Sequence, residues 1–316
     1  MGARLNRDMA EGETRKLWVG ISACLLGERV RYDGGHKKNA LVTETLGPHV
    51  EWVAICPEVE LGLPIPRPAM DLVRGDDDRT RLVVTETGED LTARMRAYAT
   101  WRAQTLTSLD LDGYVLKSRS PSCGLGGAAA VGPGLFAEAL AETMPDLPME
   151  DEARLARPAL REHFVERLWA AARWRDFVRR RPRAGDLQGF HAAHKYVLLA
   201  HSPVHHAKLT RLMTAAGRRR EDAVVHDYGA GFAAALAVRA TRARHAEVLA
   251  QLASFFERAL AHPDRAALTA AIAGYRDGVA PLDGPRALIR DHVHRLGVAH
   301  LAEQVYLRPP APDLIS

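Results

Sequence analysis

Three cysteines are the residues of this chain whose chemistry is most distinctive. Cys24, Cys56 and Cys123 each lie in a short polar turn, with Gly, Pro or Ser beside the thiol, where an apolar run ends. Three thiols leave one over from a disulfide pair and are one fewer than the ligands of a structural zinc site. The number suits an iron–sulfur cluster bound at three corners, with one iron open to a substrate. Cysteines that only pack in the core are one alternative; a single nucleophilic cysteine with His36 or His49 as its base is another.

Short strands followed by helices are expected to position these thiols. Apolar runs at residues 17–22 and 52–55 each lead into a cysteine, and a run at residues 113–117 ends at the Ser-Pro-Ser-Cys-Gly turn. Residues 82–87 indicate another strand, with a helix over residues 89–109. This alternation predicts an α/β N-terminal domain, with a parallel-type sheet and flanking helices. Because ligands gather at the carboxyl ends of parallel strands, all three cysteines lie where a shared site requires them.

The second half of the chain has helical periodicity almost to its end. Residues 144–148 contain two prolines and no periodicity, so we predict a domain over residues 17–146 and an all-α C-terminal domain over residues 150–308. Helices are predicted there at residues 153–181, 187–201, 204–216, 223–262 (with a break near Gly229 and Gly231) and 286–306.

Charge and hydropathy limit the possible partners. The chain has a net charge of +4, but residues up to 148 hold 17 Lys+Arg against 21 Asp+Glu, whereas the remainder holds 26 against 18. The basic second half is therefore a candidate for binding a polyanion. No apolar stretch reaches the roughly 18–20 residues of a membrane span, and the N-terminus lacks the apolar core of a signal peptide. We expect a cytoplasmic protein without a membrane partner, in which thiols stay reduced.

Several stretches of the N-terminal half form an ordered set of motifs. They are Ser-Ala-Cys-Leu-Leu-Gly at 22–27, Arg-Tyr-Asp-Gly at 31–34, Cys-Pro-Glu at 56–58, Gly-Leu-Pro-Ile-Pro-Arg at 62–67 and Lys-Ser-Arg-Ser-Pro-Ser-Cys-Gly at 117–124. Together they resemble the motifs of the thiouracil desulfurase (TudS-like) family. The resemblance implies an oxygen-sensitive 4Fe-4S cluster bound by Cys24, Cys56 and Cys123. It also implies a functional acid at Glu58 and a functional serine at Ser120.

The implied chemistry is a desulfuration without net electron transfer. Thiocarbonyl sulfur is soft and suits the iron that no cysteine binds, and coordination there would polarise the carbon. Water can then attack, with Glu58 taking its proton and Ser120 orienting the base or the intermediate. Asp33 could hydrogen-bond a base edge or Ser120, Arg31 is a further candidate for substrate binding, and Tyr32 could stack on a pyrimidine. The alternatives are a surface carboxylate for Glu58, a turn-capping hydroxyl for Ser120 and a plain turn for the Arg-Tyr-Asp-Gly stretch.

One stretch of the helical half carries a second resemblance. Residues 190–203, Phe-His-Ala-Ala-His-Lys-Tyr-Val-Leu-Leu-Ala-His-Ser-Pro, resemble the signature of the YbgA-like helical domain, which often follows a desulfurase-like domain. His191, His194 and Lys195 fall on one helix face, and a zinc site there is disfavoured because no cysteine or paired carboxylate completes it. We expect this face and the basic runs to contact RNA, unless it is only a partly buried polar face between helices. The basic runs contribute Arg179, Arg180, Arg218 and Arg219.

A nucleobase-modifying domain followed by a basic helical domain predicts a substrate base within RNA. The leading hypothesis is a desulfidase of 4-thiouridine in tRNA, whose target base leaves its stack to reach the cluster. One alternative is a desulfurase of free thiouracil in which the helical half serves oligomerisation. Another is a nucleic-acid-binding sensor whose cluster only reports oxygen or iron.

Overall fold

The computed structural model describes residues 16–75, 77–126, 131–183, 185–215, 220–256, 258–309 and 314. The chain divides into two units, one up to Ala153 and one from Arg154. The N-terminal unit has a parallel sheet with helices and the C-terminal unit is helical, which confirms the predicted fold class. None of the helices within these ranges is long and apolar enough to cross a membrane.

A parallel sheet forms the centre of the N-terminal unit. The strands of this unit within the described ranges are β1 (Leu17–Ser22), β2 (Val50–Ile55), β3 (Met70–Arg74), β4 (Thr80–Val84), β5 (Gly113–Leu116) and β6 (Met149–Asp151). Strands β2, β1, β5 and β6 pair in that order, all parallel, whereas β3 and β4 form a separate antiparallel pair. Strands β1 and β5 are buried along almost their whole length, which explains their continuous apolar sequences.

Within the described ranges, four α-helices complete this unit and its junction with the next. They are α1 (Pro57–Glu60), α2 (Thr92–Thr107), α3 (Leu135–Thr143) and α4 (Glu152–Leu155). The fully buried Ala99 and Ala103 lie four residues apart on α2, and they share one apolar core with Phe136 of α3 and Tyr114 of β5. This core supports the sheet from which the cysteine-bearing turns emerge.

The sequence patterns located most of the sheet but not all of it. The run at 17–22 is strand β1 as predicted, and β2 begins two residues before the predicted run at 52. The strand predicted at 82–87 is β4, which starts at Thr80 and ends at Val84. Strands β3 and β6 and helix α3 were not predicted. Strand β6 carries no apolar run, and its place is given by pairing with β5, so the sheet extends to Asp151, beyond the predicted boundary at 146.

The C-terminal unit is built from helices with clear start signals. Its helices within the described ranges are α5 (Pro158–Arg179), α6 (Asp186–His201), α7 (Pro203–Thr214), α8 (Glu221–Ala237), α9 (Arg242–Ser254), α10 (His262–Arg276), α11 (Asp283–Leu296) and α12 (Ala299–Ala302). The hydroxyl oxygens of Ser202 and Thr241 accept backbone N–H groups at the starts of α7 and α9. Helix α10, which begins with a proline in its first turn, was not predicted.

Two predictions for the helical half were wrong. Helix α8 runs without a break through Gly229 and Gly231, and it ends only at Ala237. A Cβ atom on Gly229 would lie 2.6 Å from the indole nitrogen of Trp174, so this glycine permits close packing rather than a turn. The predicted helix over residues 286–306 ends at Leu296, because Gly297 adopts a left-handed conformation (φ 64°) that terminates α11.

Candidate functional site

One cavity of about 380 Å³ lies at the carboxyl ends of β1, β2 and β5. Cys24, Cys56 and Cys123 all line it, each from the turn that follows one of these strands. Glu58 and Ser120 line the same cavity. The order of the parallel sheet therefore brings together residues that are far apart in the sequence.

Cys24 lies in a tight turn that its neighbours hold against β1. The turn, Ala23–Leu26, ends at Gly27 with a left-handed φ of 101°, and the backbone N–H of Lys37 donates to the carbonyl oxygen of Cys24 at 2.9 Å. Burial raises the pKa of the Cys24 thiol to about 11, and a negative charge on Cys56 contributes in the same direction. The cations of Lys117 and Arg31 partly offset this rise.

Cys56 immediately precedes helix α1, which starts at Pro57. Its side chain accepts no capping hydrogen bond from the first turn of that helix, but the nearby backbone N–H groups of Val59 and Glu58 favour the thiolate. Burial raises the pKa of this thiol more than these N–H groups lower it. The sulfur also contacts the carbonyl oxygen of Val30 at 3.8 Å.

Cys123 is held in a turn that Ser120 closes. The hydroxyl oxygen of Ser120 accepts the backbone N–H groups of Ser122 at 3.3 Å and Cys123 at 3.1 Å. A Cβ atom on Gly124 would lie 2.8 Å from the Ser120 carbonyl oxygen, so the turn requires glycine there. Burial raises the pKa of the Cys123 thiol, whereas a hydrogen bond from Ser22 at the end of β1 lowers it.

The three thiols are donors of the type that an iron–sulfur cluster uses. All three are free of disulfides, and their raised pKa values mean that a bound cationic centre would be needed to hold them as thiolates at neutral pH. Among the described residues, no three Cys, His, Asp or Glu side chains lie close enough to share one metal ion. Three soft donors spread around a cavity suit a centre that contains several irons.

Glu58 is an anchored acid rather than a surface carboxylate. Its side chain is only 14% exposed, and its Oε2 atom accepts two hydrogen bonds from the buried Arg67 guanidinium, one of them from Nε at 3.0 Å. Its Oε1 atom accepts the Ser122 hydroxyl at 2.9 Å. The carboxylate is therefore fixed at the cavity wall, with free lone-pair capacity on Oε1.

Arg67 connects this acid to the loop that carries the predicted base contacts. Its guanidinium donates to the carbonyl oxygens of Val30 at 2.9 Å and Pro64 at 3.2 Å, and its backbone N–H donates to that of Tyr32 at 2.8 Å. Sequence reasoning included Arg67 in a motif but assigned it no role. The sequence feature that could have indicated its role is the position of this arginine in an apolar, proline-rich stretch. Such an arginine is expected to be buried, and a buried guanidinium requires a carboxylate partner.

The predicted substrate contacts divide into two groups. Arg31 and Tyr32 line the cavity, with the Arg31 guanidinium 5.2 Å from the centre of the Tyr32 ring. Tyr32 as a residue is 43% exposed. Asp33 is not among the lining residues: it accepts the backbone N–H of Gly35 at 2.9 Å and pairs with Arg31 at 3.5 Å. The hydrogen bond from Gly35, followed by the charge of Arg31, lowers the pKa of the Asp33 carboxyl. These contacts hold Asp33 within the Arg-Tyr-Asp-Gly turn, and its contact with the substrate stays a prediction.

A partly buried ion pair that the sequence did not reveal supports the segment before Cys123. The ammonium of Lys117 lies 2.6 Å from Glu152 Oε1, and Glu152 accepts the backbone N–H of Ser118 at 2.7 Å and its hydroxyl at 2.8 Å. Hydrogen bonds from these two residues lower the pKa of Glu152, although burial opposes them. Glu152 was missed because the predicted boundary assigned it to the second domain.

The predicted RNA contacts are only partly available on the surface. Arg179 and Arg180, at the end of α5, are exposed, and Lys195 is half-buried with its ammonium 5.2 Å from the centre of the Tyr196 ring. Arg218 and Arg219 lie outside the residues that the structure describes.

The two histidines of the same predicted face are buried. His191 is 8% exposed and bonds the hydroxyls of Tyr228 and Thr210, each at 3.1 Å. His194 is 3% exposed, with Nδ1 2.8 Å from the Phe190 carbonyl oxygen. Neither side chain is presented to RNA, because packing of α6 against α7 and α8 covers that face.

Comparison with known proteins places the N-terminal unit in a family. Residues 19–152 match the 2-thiouracil desulfurase family, over a range that includes all three cysteines and Glu152. The uncharacterized protein YbbK of Bacillus subtilis (strain 168) is 31% identical over 113 residues, which cover 34% of this chain and 72% of that protein. The chain belongs to the 2-thiouracil desulfurase family.

Two further similarities accompany this desulfurase family match. A solved structure described as the 4Fe-4S-dependent thiouracil desulfidase TudS is 33% identical and covers 45% of this chain and 94% of its own, with a TM-score of 0.37. Residues 195–310 match a family described as a protein of unknown function, DUF1722. The resemblance of the sequence to a desulfurase domain followed by a YbgA-like domain is thus confirmed.

Proposed function

We propose that this chain removes the sulfur of 4-thiouridine in tRNA, giving uridine and sulfide. The observation that carries the proposal is the single cavity where three thiols meet Glu58 and Ser120 in a chain of the desulfurase family. The similar protein TudS is named as 4Fe-4S-dependent, and we extend that cofactor to this chain, with Cys24, Cys56 and Cys123 as its ligands. When bound, the cluster supplies soft, Lewis-acidic iron, which suits thiocarbonyl sulfur and polarises its carbon.

Glu58 is assigned to the proton of the attacking water. Its Oε2 atom is occupied by Arg67. Among the described residues, Oε1 accepts only the Ser122 hydroxyl, so it can accept a second hydrogen bond from water. Arg67 and Ser122 together keep the carboxylate in one orientation, so that the proton has a defined acceptor. The reaction adds water to the carbon and releases sulfide, with no oxidant or reductant.

Ser120 is assigned as a hydrogen-bond donor to the substrate. Its oxygen already accepts two backbone N–H groups in the turn that contains Cys123. The hydroxyl hydrogen is left to point toward the cavity that Ser120 lines. A fixed donor of this kind can orient the base and stabilise the charge that develops on it.

The choice of RNA as substrate is supported by charge and by an exposed aromatic side chain. The chain beyond residue 148 holds 26 Lys+Arg against 18 Asp+Glu, and cations such as Arg179 and Arg180 suit phosphate contacts that position a nucleic acid. Tyr32, at the cavity, can stack on a base that has left the helix. We place the enzyme in the cytoplasm, where its substrate occurs and its thiols stay reduced.

Anaerobic reconstitution followed by a sulfide assay tests the proposal. Chain loaded with iron and sulfide should release sulfide from tRNA that contains 4-thiouridine, not from tRNA that lacks it, and tRNA binding should weaken steeply with salt. Turnover of free thiouracil without binding of tRNA at low salt would indicate the free-base desulfurase instead. A loaded cluster that releases no sulfide from either substrate would indicate a sensor.

The role of Glu58 is tested by Glu58→Gln, because Glu58→Ala would leave buried Arg67 without its partner at a cost of about 3–5 kcal/mol. We expect the amide to keep the cluster absorbance and to lower the rate of sulfide release by about 10²–10⁴-fold. Glu60→Gln is the matched control, since Glu60 lies on the same helix but bonds Tyr98 and Arg102. A fully active Glu58→Gln enzyme would show that the proton goes elsewhere.

A further inference from the structure

A stretch without acidic residues runs through the C-terminal unit. Residues 187–220 contain six lysines and arginines and five histidines, but no aspartate or glutamate. The whole chain has 39 acidic residues in 316, so about four would be expected in a stretch of this length. Among the helices of this unit that the structure describes and that are longer than four residues, only α7 has no acidic side chain. The positive charges of α7 therefore have no counter-ion within their own helix.

Helix α7 buries its apolar side and exposes its charged side. Leu209 is 3% exposed and belongs to an apolar core that includes Tyr228 of α8. A Cβ atom on Gly231 of α8 would lie 2.8 Å from the Leu209 side chain, so the two helices pack closely. Lys208 and Arg211 of α7 are exposed. Because these two residues are three positions apart, they share one helix face and lie about 4.5 Å apart along the axis.

Lys195 of α6 adds a third cation beside this helix. Burial and then the charge of Lys195 lower the pKa of His206 on α7. The ring of His206 stacks on that of His191 of α6, with 4.8 Å between the ring centres. The hydroxyls of Tyr228 and Thr210 hold His191 in place. The packing of α6 on α7 thus brings Lys195 to α7 and adds no negative charge there.

These three cations have no carboxylate partner. Within the part of the chain that the structure describes, Lys195, Lys208 and Arg211 form no ion pair. By contrast, the exposed Arg295 of α11 pairs with Asp264 of α10 at 2.6 Å. Unpaired cations on one surface create a positive potential that attracts a polyanion.

We propose that the surface formed by Lys195, Lys208 and Arg211 binds the phosphate backbone of RNA. RNA is the polyanion that the proposed desulfuration requires, so this inference rests on the proposed function. The exposed neighbours of the two α7 cations, Val204 and Ala207, have neither a ring to stack on a base nor a polar group to read one. The contacts are therefore with phosphates, and they position the RNA without reading its sequence.

Binding of tRNA that lacks 4-thiouridine to the full-length, cluster-loaded chain tests this surface without turnover. The association constant K is measured anaerobically by fluorescence anisotropy over a range of salt concentrations. The double variant Lys208→Gln/Arg211→Gln should reduce the slope of log K against log salt concentration by about two, and Lys195→Gln by about one, because each lost phosphate contact reduces it by about one. Arg239→Gln/Arg290→Gln is the matched control, since it removes the same charge from two exposed positions elsewhere in the unit and should keep the unmodified slope.

The outcomes separate this surface from the desulfuration. A slope unchanged in the double variant would overturn the proposal, whereas sulfide release from thiolated tRNA would still support the proposed function. Binding of tRNA through these cations without any sulfide release would support this surface and refute the proposed function. Binding to vesicles of phosphatidylcholine and phosphatidylglycerol through the same cations, with no binding of tRNA, would overturn the proposal in favour of a membrane surface.

Discussion

The C-terminal unit should lose stability steeply as the pH falls below 6.5, because four of its histidines are held neutral. Burial, as the largest cause in each case, lowers the pKa of His163, His191, His194 and His245 from 6.5 to about 4. The unfolded chain binds protons at these positions at a higher pH than the folded chain does. Their contribution is therefore complete above pH 6.5 and is lost as the pH falls toward 4.

The size of the effect follows from the size of these pKa shifts. Each histidine should lower the free energy of unfolding at pH 5 by about 2 kcal/mol relative to pH 8, because one pKa unit of difference between the unfolded and folded states corresponds to about 1.4 kcal/mol. The four together cost about 8 kcal/mol, comparable with the roughly 5–15 kcal/mol of a typical folded domain. Glu166 does not add to the loss at pH 5, because its pKa is lowered to about 2 by His201 despite burial, and its own contribution is lost only at lower pH.

Urea unfolding followed by far-ultraviolet circular dichroism, which reports mainly the helices, measures the effect at pH 8, 6.5 and 5. The variant His194→Asn keeps a donor for the Phe190 carbonyl oxygen but does not titrate, so its loss between pH 8 and 5 should be smaller by about 2 kcal/mol. His226→Asn is the control, because the side chain of His226 is 83% exposed. Identical pH profiles for His194→Asn and the unmodified chain would refute this reasoning, as would constant stability from pH 8 to 5.

Three further predictions concern the two units separately. Cys56→Ala should lose both the cluster absorbance and sulfide release, because only two cysteines remain to bind the iron. Iron content per chain measures cluster binding, and a full complement of iron in this variant would contradict the assigned ligands. Gly229→Ala should destabilise the chain by about 1–3 kcal/mol, since its Cβ would lie 2.6 Å from Trp174. Gly189→Ala is the control, because the added carbon there meets open space. Urea unfolding compares the two variants, and equal stabilities would disprove the packing role of Gly229. Glu152→Gln should keep the fold but make cluster loss on dilution faster, because the segment before Cys123 loses a charged anchor; an unchanged rate of loss, followed by absorbance, would exclude that role.

The parts of the fold that the sequence predicted are those whose signal is local. Strand β1 and helix α6 carry continuous or periodic apolar patterns within their own residues, and both lie within a residue of their predicted limits. Strand β6 has only three residues and no such pattern, so its pairing with β5 could not be anticipated. The break expected at Gly229 failed for a related reason, since the indole that requires a glycine there lies on another helix.

The same distinction applies to the candidate site. Each cysteine follows a predicted strand, so parallel topology alone was enough to expect that Cys24, Cys56 and Cys123 would converge. The partners that hold them in place were not predictable. Ser22, at the end of a neighbouring strand, hydrogen-bonds Cys123. Glu152 accepts a hydrogen bond from Ser118, in the segment before Cys123, although the two residues are 34 positions apart in the chain.

By itself, the sequence determined which chemical groups are available: three thiols in strand-terminal turns, an acid and a serine beside them, and a helical half with a surplus of basic residues. Only the tertiary structure decided what state those groups are in. In the folded chain, Glu58 is hydrogen-bonded to Arg67, and Asp33 accepts a hydrogen bond within its own turn. His191 and His194, which the helical pattern left free to face solvent, are buried. The physical reason is that side-chain type is a property of one position, whereas burial and hydrogen-bond partners depend on segments that meet only after the chain has folded.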